Sequence, residues 1–329
     1  MLKFDPIFND GAILQAGKTV RISGCGEGTV TVKLGNSVQA ATVIGDKWYA
    51  EFPAQDYNTV CTLTASSDCE SVTLTDITFG DVYLLAGQSN IQFKLCEAIP
   101  DGEIYECDDI RLFSTDRLEN NEYFHPADGW VKCSKTTAPN FSAIGYFMAR
   151  DLHKRDGKPI GLVSLYQGAS IIQSWLSLEA IDELASDMPD GELHWDPHWP
   201  EYSLWNGDST LYNFGFKQVL PFSFKAVIWY QGESNALEHE SCFYDRMLTK
   251  MIELWRTDLK DPTLPFIIVQ IADFDPRKSD AWSRIQEAQE RVALSTPDCY
   301  FVKCADICET DNIHPPTKHI LAKRIADIL

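Results

Sequence analysis

Past Gly80 the sequence presents a series of short apolar runs, each about five residues long, set between stretches whose apolar residues recur every three or four positions. No other feature constrains the fold as tightly. A run of five without polar interruption suits a strand covered on both faces, and strands sandwiched in this way by helices belong to a parallel sheet. The runs occupy residues 82–86, 160–165, 226–230, 266–271 and 300–303. Between them, residues 142–155 place Ile144, Phe147, Met148 and Leu152 on one stripe, which predicts an amphipathic helix. Residues 247–255 and 282–294 repeat the pattern, and 317–329 follow the Pro315-Pro316 break as a closing helix.

Before residue 78 the period is two. Residues 29–34 alternate apolar and polar, Gly35-Asn36 supplies a turn, 38–43 resume, and Gly45-Asp46 turns again into Trp48-Tyr49-Ala50-Glu51-Phe52. Residues 61–65 and 72–74 add two more strands, giving the pattern of a small antiparallel sandwich. The expected architecture is therefore α/β: an all-β accessory domain at 1–78 and a three-layer α/β/α domain with a parallel sheet at 79–329. The length of 329 residues accords with two units at roughly 150 residues each.

Charge narrows the function. Lys and Arg number 28 against 48 Asp and Glu, a formal charge of −20, and such a field repels phosphate backbones and anionic lipid surfaces. Nucleic acid and membrane are excluded as primary partners. Ten cysteines in 329 residues fall below the density of disulfide-stapled domains, and no C-x-x-C pair occurs. Cys304 and Cys308 are the closest pair and lack the histidine or second pair that would complete a zinc site, so the cysteines are read as reduced thiols and no metal is expected. The start, Met1-Leu2-Lys3-Phe4-Asp5-Pro6, has no apolar signal region, which gives a cytoplasmic expectation.

In open α/β sheets chemistry gathers where strands end. After residues 82–86 comes Gly87-Gln88-Ser89-Asn90, a turn that puts a serine hydroxyl at a strand tip. Such a hydroxyl needs a base within hydrogen-bond reach to act as a nucleophile. Near the other end, Asp311-Asn312-Ile313-His314 sets a carboxylate and an imidazole on one loop, in the order Ser, Asp, His. The run 226–230 closes on Gln231-Gly232-Glu233-Ser234-Asn235, four polar side chains that either plug one another or build a site. Each piece alone is more often structural; the combination is what carries weight.

Together these blocks resemble the SGNH-type hydrolases and, within them, the sialate O-acetylesterase-like carbohydrate esterases. The likeness runs nearly end to end. Gly87-Gln88-Ser89-Asn90 is similar to the nucleophile block, Tyr166-Gln167-Gly168-Ala169-Ser170-Ile171-Ile172-Gln173-Ser174-Trp175 to the glycine block that supplies an oxyanion donor, Trp229–Asn235 to the W-Y-Q-G-E-S-N block, and Asp311–His314 to the base block. Asn140-Phe141-Ser142-Ala143, Leu211-Tyr212-Asn213 and the early Gly11-Ala12-Ile13-Leu14-Gln15 match further segments of the family. The resemblance implies a cofactor-free carbohydrate O-acetylesterase in which Ser89 attacks, His314 is the base and Asp311 orients it, with Glu233 as the rival acid. It implies oxyanion donors at Ser89, Gly168 and either Gln231 or Asn235. Gln88 and Asn90 are expected near the substrate.

The glycine block reads Gln167-Gly168-Ala169-Ser170-Ile171 where the family commonly has W-G-G-T-P, and Ser234 stands where general SGNH enzymes carry asparagine. His194-Trp195-Asp196-Pro197-His198 is read as a polar loop rather than a metal clip. Its aromatics Trp195 and Trp199, with Tyr202 and Trp205, could stack on sugar rings or pack a core. An acidic sugar would call for an arginine, for which Arg277 and Arg284 are candidates. An acetylxylan-type esterase, a lipase or thioesterase, and an idle carbohydrate-binding protein on the same scaffold stand as alternatives.

Overall fold

The computed structural model describes residues 1–119, 122–124, 129–186 and 200–329. Eight short strands come first: β1 (Lys3–Phe4), β2 (Ile13–Gln15), β3 (Val20–Cys25), β4 (Thr31–Leu34), β5 (Ser37–Ala40), β6 (Thr42–Ile44), β7 (Lys47–Phe52) and β8 (Val60–Ser66). One antiparallel sheet runs β1-β3-β7-β6, while β4 pairs with β5 and β8. The burial of β7 alternates strictly, with Trp48, Ala50 and Phe52 inside and Tyr49 and Glu51 outside, as a strand with one wet face requires.

The next strand, β9 (Ser71–Gly87), joins this region to the rest. Its first part pairs antiparallel with β8, from Ser66↔Ser71 to Val60↔Thr78. Its second part runs parallel to two core strands. The chain thus passes the expected junction at 78/79 inside one strand. Gln15 fastens the crossing point: its Oε1 accepts from Val82 N at 2.8 Å and its Nε2 donates to Asp81 Oδ1 at 3.2 Å.

The core sheet continues with β10 (Cys107–Ser114), then, after the small hairpin β11 (Arg117–Glu119) and β12 (Glu122–Phe124), with β13 (Val131–Cys133), β14 (Ile160–Tyr166), β15 (Ala226–Tyr230), β16 (Phe266–Val269) and β17 (Cys299–Val302). Its order is β13-β10-β14-β9-β15-β16-β17, and every pairing is parallel except β10 with β13. Helices cover it: α1 (Ser89–Gln92), α2 (Ala143–Asp156), α3 (Leu178–Ser186), α4 (Ser203–Asn206), α5 (Thr210–Phe214), α6 (Tyr244–Asp258), α7 (Asp280–Ser295) and α8 (Lys318–Ile328). Beneath them Trp175, Trp229 and Trp255 meet edge to face at 5.6–6.1 Å between centroids, each pair worth about 0.5–1.5 kcal/mol beyond its buried area.

Two readings of the sequence need correction. Residues 72–74 and 82–86 belong to one seventeen-residue strand, and β10 was not anticipated at all. Its charged residues Asp108, Asp109 and Arg111 break the apolar run. Arg111 is nonetheless buried, because it donates to Gly11 O at 2.7 Å, Asp76 O at 2.8 Å and Asp76 Oδ1 at 3.1 Å. Buried charge is tolerated when its donors are met. The ten cysteines are free thiols. Among the described residues no helix is long and apolar enough to cross a membrane.

Candidate active site

From β9 the chain builds β10 and β14 on one side, then crosses to build β15, β16 and β17 on the other. A crevice opens at the carboxyl end of a strand where the winding reverses in this way. Gly87 lies level with Tyr166 of β14 and Tyr230 of β15, so the segments that follow these three strands emerge side by side. Gly87 has φ +129, and a Cβ there would lie 2.2 Å from Tyr230 O, so only glycine fits. The turn it permits starts α1 at Ser89.

Ser89 Oγ lies 2.8 Å from His314 Nε2. The two residues are 225 positions apart in sequence, and the contact is held by a bond from Asn90 Nδ2 to Ile313 O at 2.9 Å. Burial first, and then the Lys318 ammonium, push the His314 pKa below its ordinary value of 6.5, with Glu97 opposing. The imidazole is therefore neutral at pH 7 and can accept a proton. Gly168, two residues past β14, faces the same point: a Cβ on it would lie 3.9 Å from Ser89 Cβ. Among the described residues neither the Ser89 nor the Gly168 N–H meets a protein acceptor. That of Ser89 is one of the free amides at a helix start.

Ser89, His314 and Gly168 line a cavity of about 520 Å³ together with Gln88, Gln92, Tyr202, Trp205, Glu233 and Arg277, among others. This is within the roughly 300–1,000 Å³ of small-molecule sites. Among the described residues the Trp205 indole Nε1 and Gln92 Oε1 are buried without a hydrogen-bond partner. Such groups are rare in native proteins and suit a ligand's polar atoms. Arg277 lies with its guanidinium 5.4 Å from the centre of the Trp282 ring. Arg284, by contrast, bonds Ser241 Oγ at 3.0 Å and pairs with Glu238 at 2.7 Å, and it is not in the cavity wall.

Three expected site residues lie behind the cavity rather than in its wall. Asn235 donates to Gln173 Oε1 at 2.8 Å and Glu240 Oε2 at 2.7 Å, and accepts from Ile172 N at 2.9 Å and Gln231 Nε2 at 2.7 Å. Gln231 Nε2 also donates to Ser170 O at 2.9 Å, and its Oε1 accepts from Tyr244 OH at 2.8 Å. Both amides have spent their hydrogens on protein acceptors, so neither offers a donor to the crevice. Asn90 is likewise only 1% exposed, bonded to Glu233 Oε1 at 2.6 Å and accepting from Lys318 Nζ at 2.6 Å. Gln88 does reach the cavity wall, with its Oε1 accepting from Gly232 N at 3.2 Å and Ser234 N at 3.4 Å.

The two candidate acids differ sharply. Glu233 is buried in the wall, and desolvation raises its pKa, opposed by the Asn90 bond, Lys318 and Arg277. Asp311 is exposed. Among the described residues no hydrogen bond joins either acid to the His314 ring; the loop is braced instead by His314 N donating to Asn312 Oδ1 at 2.9 Å. Lys318 was not anticipated. It is 1% exposed, its pKa is lowered by burial to about 8, and its ammonium faces the Phe93 and Tyr230 rings at 5.1 and 5.7 Å. Arg277 and Trp205, both candidates from the sequence, line the wall, and so does Gln92, which was not anticipated. Trp195 and Trp199, and the His194–His198 stretch, lie outside the described residues.

A family model described as carbohydrate esterase, sialic acid-specific acetylesterase, matches residues 79–328. The sialate O-acetylesterase of Mus musculus is 25% identical over 304 residues, covering 76% of this chain and 56% of its own length. The sialate O-acetylesterase of Homo sapiens is 24% identical over 371 residues, covering 98% of this chain and 69% of its own. The chain thus spans little more than half of the mouse relative. In structure it resembles a carbohydrate acetylesterase from Xanthomonas citri, with a TM-score of 0.82 at 24% identity over 99% of this chain and 74% of that one, a likeness of fold.

Proposed function

We propose that this chain, which belongs to the sialic acid-specific acetylesterase family of carbohydrate esterases, removes O-acetyl groups from an acidic sugar by way of an acetyl-enzyme on Ser89. The observation that carries the reading is the 2.8 Å contact between Ser89 Oγ and His314 Nε2 at the mouth of a strand-end cavity.

Ser89 Oγ attacks the ester carbonyl as His314 Nε2 takes its proton. Negative charge then develops on the carbonyl oxygen, and the Ser89 and Gly168 N–H groups are the donors for it. Groups held in place before charge appears cost no reorganisation, and each such donor contributes about 10²–10³-fold in rate. His314 returns the proton to the departing sugar oxygen, and water releases acetate by the same steps in reverse order. Asp311, three residues before His314 on one loop, is the acid we assign to steady the imidazolium. Glu233, buried in the cavity wall, is better suited to binding substrate, with Trp205 and Gln92 meeting sugar hydroxyls. Arg277, in the cavity wall, is the cation we assign to a sugar carboxylate, which its planar guanidinium can meet with two parallel bonds.

Acetate release should be measured across O-acetylated sialic acids and acetylated xylo-oligosaccharides with the wild type and Ser89→Ala. Turnover confined to the wild type, and Arg277→Gln raising KM for the acidic substrate alone, is the expected result. Equal turnover in Ser89→Ala would leave a carbohydrate-binding protein on an esterase scaffold. Preference for the neutral substrate would move the reading to an acetylxylan-type esterase.

A further inference from the structure

A second cluster of reactive side chains lies at the far edge of the core sheet, and none of its members lines the cavity. β10 enters the parallel ladder with β14 only at Ile110, and its register with β13 shifts between Cys107 and Arg111. The first residues of β10 are therefore free of a parallel neighbour, and an irregularity of this kind re-aims side chains. Tyr105, Cys107 and Asp109 follow at steps of two, which points them to one side in an extended chain. On that side stands His153, in the last turn of α2.

The Cys107 thiol, an Asp109 carboxylate oxygen and a His153 ring nitrogen all lie within 4.8 Å of one another. Cys107 Sγ is 3.6 Å from His153 Nε2 and 3.8 Å from Nδ1, and Asp109 Oδ2 is 3.9 Å from Nε2. A tetrahedron built with zinc's ordinary bonds to sulfur, nitrogen and oxygen has edges of about 3.4–3.6 Å; the Cys107–His153 edge already has that length, and the two edges to Asp109, an exposed side chain free to turn, must shorten to complete one face. The other ring nitrogen already has a partner: Tyr105 OH lies 3.1 Å from His153 Nδ1. With Nδ1–H donating to the Tyr105 oxygen, Nε2 carries the lone pair, which is how metal-binding histidines are set up. Cys107 and His153 are half-buried and Asp109 is exposed, so water can reach the cluster.

We propose that Cys107, Asp109 and His153 bind one zinc-class divalent ion through a thiolate, a carboxylate oxygen and Nε2, with water as the fourth ligand. Sulfur, imidazole and carboxylate in a tetrahedral set select zinc over magnesium or calcium, which prefer all-oxygen shells. On binding, the thiol loses its proton to solvent and the metal–sulfur bond takes its place. The ion would tie the start of β10 to α2, a structural staple separate from the hydrolytic site.

The test is a titration of chelator-treated full-length protein with Co²⁺ under a non-thiol reductant, read by absorption. Wild type should take up one equivalent with a thiolate-to-cobalt charge-transfer band that Zn²⁺ abolishes. Cys107→Ser should lose the band, and both His153→Gln and Asp109→Asn should bind at least ten times more weakly, with unchanged circular dichroism. Asp109→Asn alters only an exposed carboxylate, so it keeps the test open should the other variants misfold. An unchanged band in Cys107→Ser would place the metal on other thiols and overturn the assignment, as would absence of any band in the wild type.

Discussion

The crevice wall and the polar layer behind it are built from the same residue types, yet they differ in how their hydrogen bonds are spent. Behind the wall, Asn235 makes four bonds and Gln231 links Ser170, Asn235 and Tyr244. At the wall, two backbone amides, an indole N–H and an amide oxygen have no partner among the described residues. A saturated buried network fixes one geometry, and unspent capacity in a concave surface is what a substrate can use. The lesson is that polar composition alone does not mark the site; the surplus of unmet donors and acceptors does.

The comparison breaks most plainly at Ser89. Ser89→Ala should lower kcat by at least ~10³-fold with its thermal midpoint nearly unchanged, since it removes a proposed nucleophile and no side-chain hydrogen bond but the one to His314. Acetate-release kinetics beside a melting curve check both halves. Next comes the pair of acids: Asp311→Asn should lower kcat by about 10²–10⁴-fold, while Glu233→Gln should act mainly on KM. The reverse pattern would transfer the orienting role to Glu233.

The layer behind should answer in stability instead. Asn235→Ala strands the partners of a fully buried amide and should cost about 2–4 kcal/mol in a denaturant titration, with the surviving folded fraction still hydrolysing ester. Loss of turnover at unchanged stability would show that this layer takes part in the chemistry. The smallest effect concerns pH. With the His314 pKa depressed by burial and Lys318, kcat/KM should rise through an acid limb below the usual histidine range and level off by neutrality. Lys318→Met removes a positive neighbour, so the protonated ring becomes easier to form and the limb should move to higher pH, by about one unit or less.

Much of this was legible beforehand. Ala226–Tyr230 is the strand its apolar run predicts, and residues 142–155 fall within a residue of helix α2, Ala143–Asp156. The crevice location follows from the same runs, because a parallel sheet must place its strand-end loops together. Less legible was β10, whose charges hide its strand character until Asp76 and Gly11 arrive to pair Arg111. Legibility also failed for Gln231 and Asn235: their identity fits an oxyanion donor, and only the neighbours Tyr244, Gln173 and Glu240 turn them away.

By itself, then, the order of residues determined the period-two and period-3.6 segments, the parallel core and the family, because side-chain spacing and local backbone preference are properties of contiguous chain. Tertiary structure alone decided that Ser89 and His314 meet, that Asp311 stands in solvent while Glu233 is buried, and that Cys107, Asp109 and His153 converge. Those outcomes depend on which distant groups satisfy each polar atom, and a hydrogen bond across two hundred residues leaves no period in the sequence.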